Sequence, residues 1–285
     1  MRSYRHHFHA GNHADVLKHL VLMLLLEHLG KKDKAFRCID THAGAGRYSL
    51  VPPGPQAEWM TGIGRLWAAP KLSPDLERFR TRILDLNPGA NLRTYPGSPA
   101  WAQMLCRRQD DIRLFEWHPT DHRALSGVPA LRADPRVRIY AADGLAGLKA
   151  LLPPPSRRAL VLIDPPYENA TEYRGVLDTL AMALRRFPTG VYALWYPELA
   201  LAEARKLPAA LERLGAPWLR AHLHLRPPGR DGLGLTGSGM FVLNPPWTLA
   251  DQLADLLPEL SRLLGEGGGA GWELRQSPEN SPVRP

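Results

Sequence analysis

The chain has 285 residues, 44% hydrophobic and 22% charged, which is enough apolar material for a sizeable core and excludes a disordered chain. Lys and Arg number 36 against 28 Asp and Glu, a net charge of +8, and that excess favours polyanionic partners, nucleic acid before acidic membrane. Two cysteines, Cys38 and Cys106, exclude a disulfide framework and a cysteine-built zinc site.

The opening MRSYRHHFHAGN reads as an ordered polar arm. A helix is predicted over Ala14–Leu29, with Val16, Leu17, Leu20, Val21 and Leu24 as its apolar face, Asn12 as cap and Gly30 as stop. Its apolar run Leu20–Leu26 is far short of the ~20 residues of a membrane span. With no signal-peptide pattern before it, the expectation is a cytoplasmic protein without membrane contact. Strands follow at Phe36–Asp40, Ile112–Trp117, Val137–Gly144, Ala159–Tyr167, Gly190–Pro197, Ala221–Leu225 and Gly239–Pro246. Helical stretches at Gly144–Leu152, Tyr173–Phe187, Glu198–Leu214 and Thr248–Leu264 separate or follow them. This alternation predicts an α/β fold with a mostly parallel seven-stranded sheet. A loop, 227–238, joins the last two strands and predicts an antiparallel hairpin at the sheet edge. Residues 51–95 read as an inserted helical subdomain between the two parts, 1–50 and 96–264, of one domain. The Gly- and Ser-rich 265–285 reads as a flexible tail.

Four signals at strand ends carry chemistry. Asp40-Thr-His-Ala-Gly44-Ala-Gly46 is a strand ending in an acid, then a tight glycine turn whose backbone N–H groups can approach a ligand. The dinucleotide pattern GxGxxG fails at Ser49, which disfavours a nicotinamide dehydrogenase; DxxxGxG is instead the loop that holds the amino-acid part of S-adenosylmethionine. Glu116 ends the next strand and can accept both hydroxyls of a ribose. Asp143-Gly144, after the third, can read an adenine edge or simply cap a helix. Asp164-Pro165-Pro166-Tyr167 after LVLI is the strongest. The N6 lone pair of adenine is delocalised into its ring. The Asp164 carboxylate and Pro165 carbonyl can take hydrogen bonds from that amine and aim the lone pair at a methyl donor, with the prolines fixing both acceptors. Tyr167 offers a face for a flipped base.

Asn244-Pro245-Pro246-Trp247 has the same form, but the order Asp40, Glu116, Asp143, Asp164 follows successive strands and suits one crevice. Asn244–Trp247 therefore reads as an edge-strand exit. The histidines His6, His7, His9, His13, His19 and His42 lack the spacing of a helical zinc pair, so no metal is expected.

YRHHFHAGNHADVLKH (4–19), DTHAGAGRY (40–48), YPGSP (95–99), ADG (142–144), SRRALVLIDPPYE (156–168), YALWYP (192–197) and SGMFVLNPPW (238–247) together resemble the RlmJ family, bacterial 23S ribosomal RNA adenine-N6 methyltransferases. The resemblance spans nearly the whole chain. It implies a Rossmann-like class I methyltransferase with a small helical insertion, acting as a monomer. It implies S-adenosylmethionine contacts at His19, His42, Ser98, Glu116, Asp143, Gly144 and Asp164, beside Gly44 and Gly46 of the glycine turn. It implies catalysis by Asp164, with Tyr4, His6 and Lys18 near the substrate nucleotide. The target would be one adenine of 23S RNA, position 2030 in the usual bacterial numbering, on protein-free RNA or an early assembly form. His7 departs from the small polar residue expected there. Candidate RNA-facing cations are Arg107, Arg108, Arg157, Arg158, Arg185, Arg186, Arg226 and Arg230. Competing readings are a DNA adenine-N6 methyltransferase, a protein glutamine methyltransferase and a non-catalytic nucleic-acid-binding protein. DPPY does not separate RNA from DNA. The lack of a large groove-entering element favours RNA.

Overall fold

The computed structural model describes residues 9–50, 57–89, 91–227 and 235–278. In chain order the first half contains α1 (His13–Gly30), β1 (Arg37–Asp40), β2 (Arg47–Ser49), a 3-10 turn (Glu58–Met60), α2 (Ile63–Ala68), α3 (Pro74–Leu84), β3 (Thr94–Pro96), α4 (Ser98–Leu105) and β4 (Asp111–Phe115). Next come α5 (Pro119–Gly127), α6 (Pro129–Arg132), β5 (Val137–Tyr140), α7 (Gly144–Leu151), β6 (Ala159–Ile163) and α8 (Ala170–Arg186). The last part holds β7 (Val191–Glu198), α9 (Ala202–Glu212), β8 (Trp218–His224), β9 (Gly237–Leu243), α10 (Leu249–Leu264) and β10 (Gly271–Gln276).

The main sheet runs β10-β8-β9-β7-β6-β1-β4-β5. The block β7-β6-β1-β4-β5 is parallel, β9 is antiparallel to β7 and β8, and β10 is antiparallel to β8. Alternate side chains of each strand point to opposite faces. Cys38, Leu160 and Leu162 join the core formed with α1 to α4 and α10, while Ile39, Val161 and Ile163 join the core under α7, α8 and α9. The parallel strands, covered on both faces, are near-continuous apolar runs.

The sheet has eight strands rather than seven. The expected flexible tail from Gly265 is corrected for its described part: after α10 the chain reverses and Gly271–Gln276 pairs along β8. Glu266 N–H donates to Leu225 O at 2.7 Å, Ser277 N–H to Trp218 O at 2.9 Å, and Arg220 ion-pairs with Glu273. An uncovered β8 would leave a row of unpaired backbone groups. Polar composition hid this strand. For the same reason β8 and β9, although antiparallel, are not the edge.

Asn12 caps α1 as expected, accepting from Asp15 N–H at 3.0 Å. The helix is not one-faced, however: Ala14 to Leu26 are all buried. The insertion supplies the missing cover. Ile63, Leu66, Leu76, Phe79 and Ile83 are inaccessible and share one core with α1. Polar ties reinforce it: Asn12 donates to Glu58 at 2.9 Å and Arg65 to Gly265 O at 2.9 Å. No helix among the described residues is long and apolar enough to cross a membrane.

Candidate active site

The carboxyl ends of β1, β4 and β6 open into one cavity of about 620 Å³, within the ~300–1,000 Å³ typical of ligand sites. Its wall includes His19, His42, Gly44, Ser98, Glu116, Lys18, Asp164, Pro165 and Tyr167, so most of the residues singled out from sequence converge there. Tyr4 and His6 lie outside the described residues.

Asp164 follows β6. Lys18, one turn into the buried helix α1, places its ammonium on Asp164 Oδ2 and on Asp15 Oδ1, the latter at 2.7 Å. Lys18 is 4% exposed and Asp15 1%. Burial pulls the ammonium pKa down, but the two carboxylates more than offset it and hold Lys18 charged. Asp164 Oδ1 has no partner among the described residues and remains able to accept.

Tyr167 lies at the end of the Pro-Pro turn with φ 54°, a left-handed conformation that costs a non-glycine residue about 1–2 kcal/mol. Its hydroxyl donates to Trp195 O at 3.0 Å, which helps to hold it. Its ring packs on Tyr173 with centroids 4.5 Å apart and lies 6.0 Å from Trp195. The expected open face of Tyr167 is therefore partly occupied, and Trp195, also on the cavity wall, is a second aromatic surface that no single motif had marked.

The turn after β1 needs its glycines. Gly44 has φ 59°, and a Cβ there would lie 2.2 Å from the Tyr48 hydroxyl oxygen. Gly44 N–H donates to Glu116 at 2.8 Å and His118 N–H to the other Glu116 oxygen at 2.7 Å. A carboxylate has about four lone-pair sites, so Glu116 retains acceptor capacity; burial raises its pKa. His42 Nδ1 lies 2.8 Å from Thr41 Oγ1, and His19 Nδ1 lies 2.9 Å from the Tyr95 hydroxyl.

Three sequence-marked residues do not line the cavity. Gly46, with φ 79°, has a packing role, since a Cβ would lie 2.8 Å from Leu125 Cδ1. Asp143 is the N-cap of α7, accepting from Leu145 N–H at 2.9 Å. Gly144 sits against the chain leaving β1: a Cβ would be 2.2 Å from Thr41 O and 2.6 Å from its Cα. That neighbour is backbone and cannot rotate away. Gly144→Ala is expected to cost about 1–3 kcal/mol of stability and to weaken S-adenosylmethionine binding at least tenfold; urea unfolding and calorimetric titration would measure both.

Two further buried polar groups stand at or behind the cavity wall. His13 Nε2 is buried at the cavity wall with no partner among the described residues, and burial drops its pKa to about 4, keeping the ring neutral. Asp40, at the head of the glycine turn, is 1% exposed. Burial raises its pKa from 3.8 to about 7, against the opposing pull of Ser98 and the His42 N–H. The folded state therefore holds a proton that the unfolded chain has lost. Stability should fall as pH rises from about 4 to 7, by at most about 4 kcal/mol, and level off above. Asp40→Asn should abolish that slope while other groups still titrate; urea midpoints of both proteins from pH 4 to 8 give the difference.

The second Pro-Pro turn is resolved by strand direction. β9 is antiparallel, so Leu243 stands opposite Tyr192 at the amino end of β7. Asn244 thus lies across the sheet from the cavity. Its φ is 52°, and its amide donates to Pro188 O and Gly190 O, both at 2.7 Å. It is a clamp inside the sheet, not an edge exit. Several arginines also have structural duties: Arg107 donates to Gly30 O and Lys32 O, Arg158 to Leu29 O, Arg186 to Leu152 O, and Arg226 ion-pairs with Glu266. Arg230 lies outside the described residues.

The donor set fits S-adenosylmethionine. Glu116 suits vicinal ribose hydroxyls, and Asp164 faces the cavity with an open acceptor suited to a cationic ligand or an amine. His42 and Ser98 place further polar groups on the wall beside the glycine turn. A sheet in this order, with its crevice over β1, β4 and β6, is that of the class I S-adenosylmethionine-dependent methyltransferases, and this chain is one of them. The family model described as "Ribosomal RNA large subunit methyltransferase D, RlmJ" matches residues 33–275, and the chain belongs to that family. It is 46% identical over 275 residues to the Ribosomal RNA large subunit methyltransferase J of Escherichia coli (strain K12), covering 94% of this chain and 96% of that one. The protein of the same name from Haemophilus influenzae is 44% identical over 278 residues, covering 96% and 98%. Among solved structures, protein LPL1258 from Legionella pneumophila superposes with a TM-score of 0.88 at 33% identity, covering 95% of this chain and 99% of that one.

Proposed function

We propose that this chain methylates N6 of a single adenine in 23S ribosomal RNA, as a monomer acting on protein-free or early-assembly RNA. Methylation of ribosomal RNA follows from its family. The finer reading rests on one observation: Asp164, beside the Pro165 carbonyl, stands in the cavity with one oxygen held by Lys18 and the other without a partner among the described residues.

Bound S-adenosylmethionine supplies an activated methyl group. Glu116 would hold its ribose and His19, His42, Gly44 and Ser98 would surround the amino-acid end, while Asp143, Gly144 and Gly46, set back from the cavity wall, would shape the turns behind the adenine and amino-acid ends. Asp164 Oδ1 and the Pro165 carbonyl accept the two N–H bonds of the target amine and turn its lone pair toward the donor. Lys18 stops the carboxylate from rotating away. As the nitrogen gains the methyl group it must shed a proton, which passes to Asp164 Oδ1 or to water. Tyr167 and Trp195 form the aromatic wall for the extruded base, and Tyr4 and His6 are assigned to binding of the substrate nucleotide.

The test uses purified protein, methyl-labelled S-adenosylmethionine and deproteinised 23S RNA made without modifications, with duplex DNA as control. N6-methyladenosine at one site in the digested RNA is the expected product. Label in DNA alone, or on another base, would overturn the reading.

A further inference from the structure

Away from the cavity wall, Glu198 at the end of β7 meets His222 and His224 of β8. β9 lies between those strands. Glu198 and His224 both stand opposite Gly237, and Tyr196 and His222 both stand opposite Gly239. A Cβ at Gly237 would lie 2.3 Å from Glu198 Oε2, and one at Gly239 would lie 2.3 Å from the Tyr196 ring and hydroxyl oxygen. Two bare positions in the middle strand thus let side chains from its neighbours meet across it.

His222 Nε2 is 3.2 Å from Glu198 Oε2, and His224 Nδ1 is 3.0 Å from both Glu198 oxygens. The three ligand atoms lie within 4.8 Å of one another. Tetrahedral zinc with bonds of about 2.0–2.1 Å sets its ligand atoms about 3.3 Å apart, so the cluster is close to that spacing already. His222 Nδ1 lies 3.1 Å from the buried Tyr196 hydroxyl. Such an outer contact orients a metal-ligating imidazole and fixes which nitrogen faces the ion. The side chains of His224 and Glu198 are 38% and 32% exposed, which leaves one side open to water.

We propose that Glu198, His222 and His224 bind a divalent transition-metal ion, zinc being the best match, with solvent as the fourth ligand. Two imidazoles and a carboxylate suit zinc or cobalt rather than magnesium or calcium. The ion ties β7 to β8 and takes no part in methyl transfer. Pro197 and Leu199 flank Glu198, Leu225 and Arg226 follow His224, and all four line the cavity. The ion therefore stiffens the rim on the side of the 227–236 connection.

Protein lacking any histidine tag would be stripped with a chelator and titrated with zinc against a chromophoric competitor. One zinc per chain with a Kd of about 1 μM or tighter is expected, with at least 100-fold weaker binding in Glu198→Gln and in His224→Asn. Zinc should raise the melting temperature of the native chain and not of His224→Asn. Cobalt substituted into the native chain should give the intense visible bands of a tetrahedral site, a readout that depends on no variant. Absence of binding below about 100 μM, weak octahedral cobalt bands, or stoichiometric zinc retained by both variants would each overturn the proposal. The last result would place the ion elsewhere, for instance among the N-terminal histidines.

Discussion

Asp164→Asn is expected to lower kcat by about 10²–10³-fold, the usual cost of removing one preorganised acceptor from a transition state. The amide is isosteric, and Lys18 retains Asp15 at 2.7 Å, so the fold should survive. The substitution replaces an ionised acceptor with a neutral group whose NH2 can face the target amine, donor against donor. S-adenosylmethionine affinity should change less than tenfold, because Glu116 and the glycine turn hold the rest of that ligand. Single-turnover methylation of unmodified 23S RNA with calorimetric cofactor titration separates the two quantities. A kcat within fivefold of native would remove Asp164 from the chemistry. A normal kcat with cofactor binding lost would make it a binding residue only.

Lys18→Met is expected to cost about 3–5 kcal/mol of stability at pH 7, because it takes the ammonium away from the buried Asp15 and from the half-buried Asp164. Asp15 is 1% exposed and still accepts from Gly11 N–H at 2.9 Å, but its other oxygen loses its cation. Urea unfolding of both proteins at pH 7 tests the size and the sign. An unchanged midpoint at pH 7 would mean that the triad contributes nothing to the fold. Activity should fall as well, since Asp164 loses the contact that fixes its rotamer.

The grouping of the candidate site was legible because each group sits at a strand end with its own local signature. Asp40 and the glycine turn, Glu116, and Asp164-Pro165-Pro166-Tyr167 could be placed in order along successive strands, and a parallel sheet brings successive carboxyl ends to one side. The same logic misplaced the sheet edge. Residues 265–276 are rich in glycine and polar groups, and what makes Gly271–Gln276 a strand is the open side of β8, which no local pattern reveals. Helix α1 was read as one-faced because the insertion that covers its other side lies far away in sequence. Lys18 could be marked by resemblance, but its partnership with Asp164 spans 146 positions and is visible only after folding.

The two Pro-Pro turns show the boundary between the two kinds of information. DPPY and NPPW are nearly the same string after nearly the same apolar strand, and both contain a residue with left-handed backbone, Tyr167 in one and Asn244 in the other. Residue order was enough to say that Asp164 shares a crevice with the glycine turn and Glu116, since parallel strands repeat their direction. Strand direction decided the rest. β9 runs against its neighbours, which carries Asn244 to the opposite end of the sheet and turns its amide into a backbone clamp. Local sequence specifies backbone turns and periodic burial because those depend on near neighbours. Which ends share a side, which edge is covered and which buried charges meet depend on contacts between distant residues, and those exist only in the folded chain.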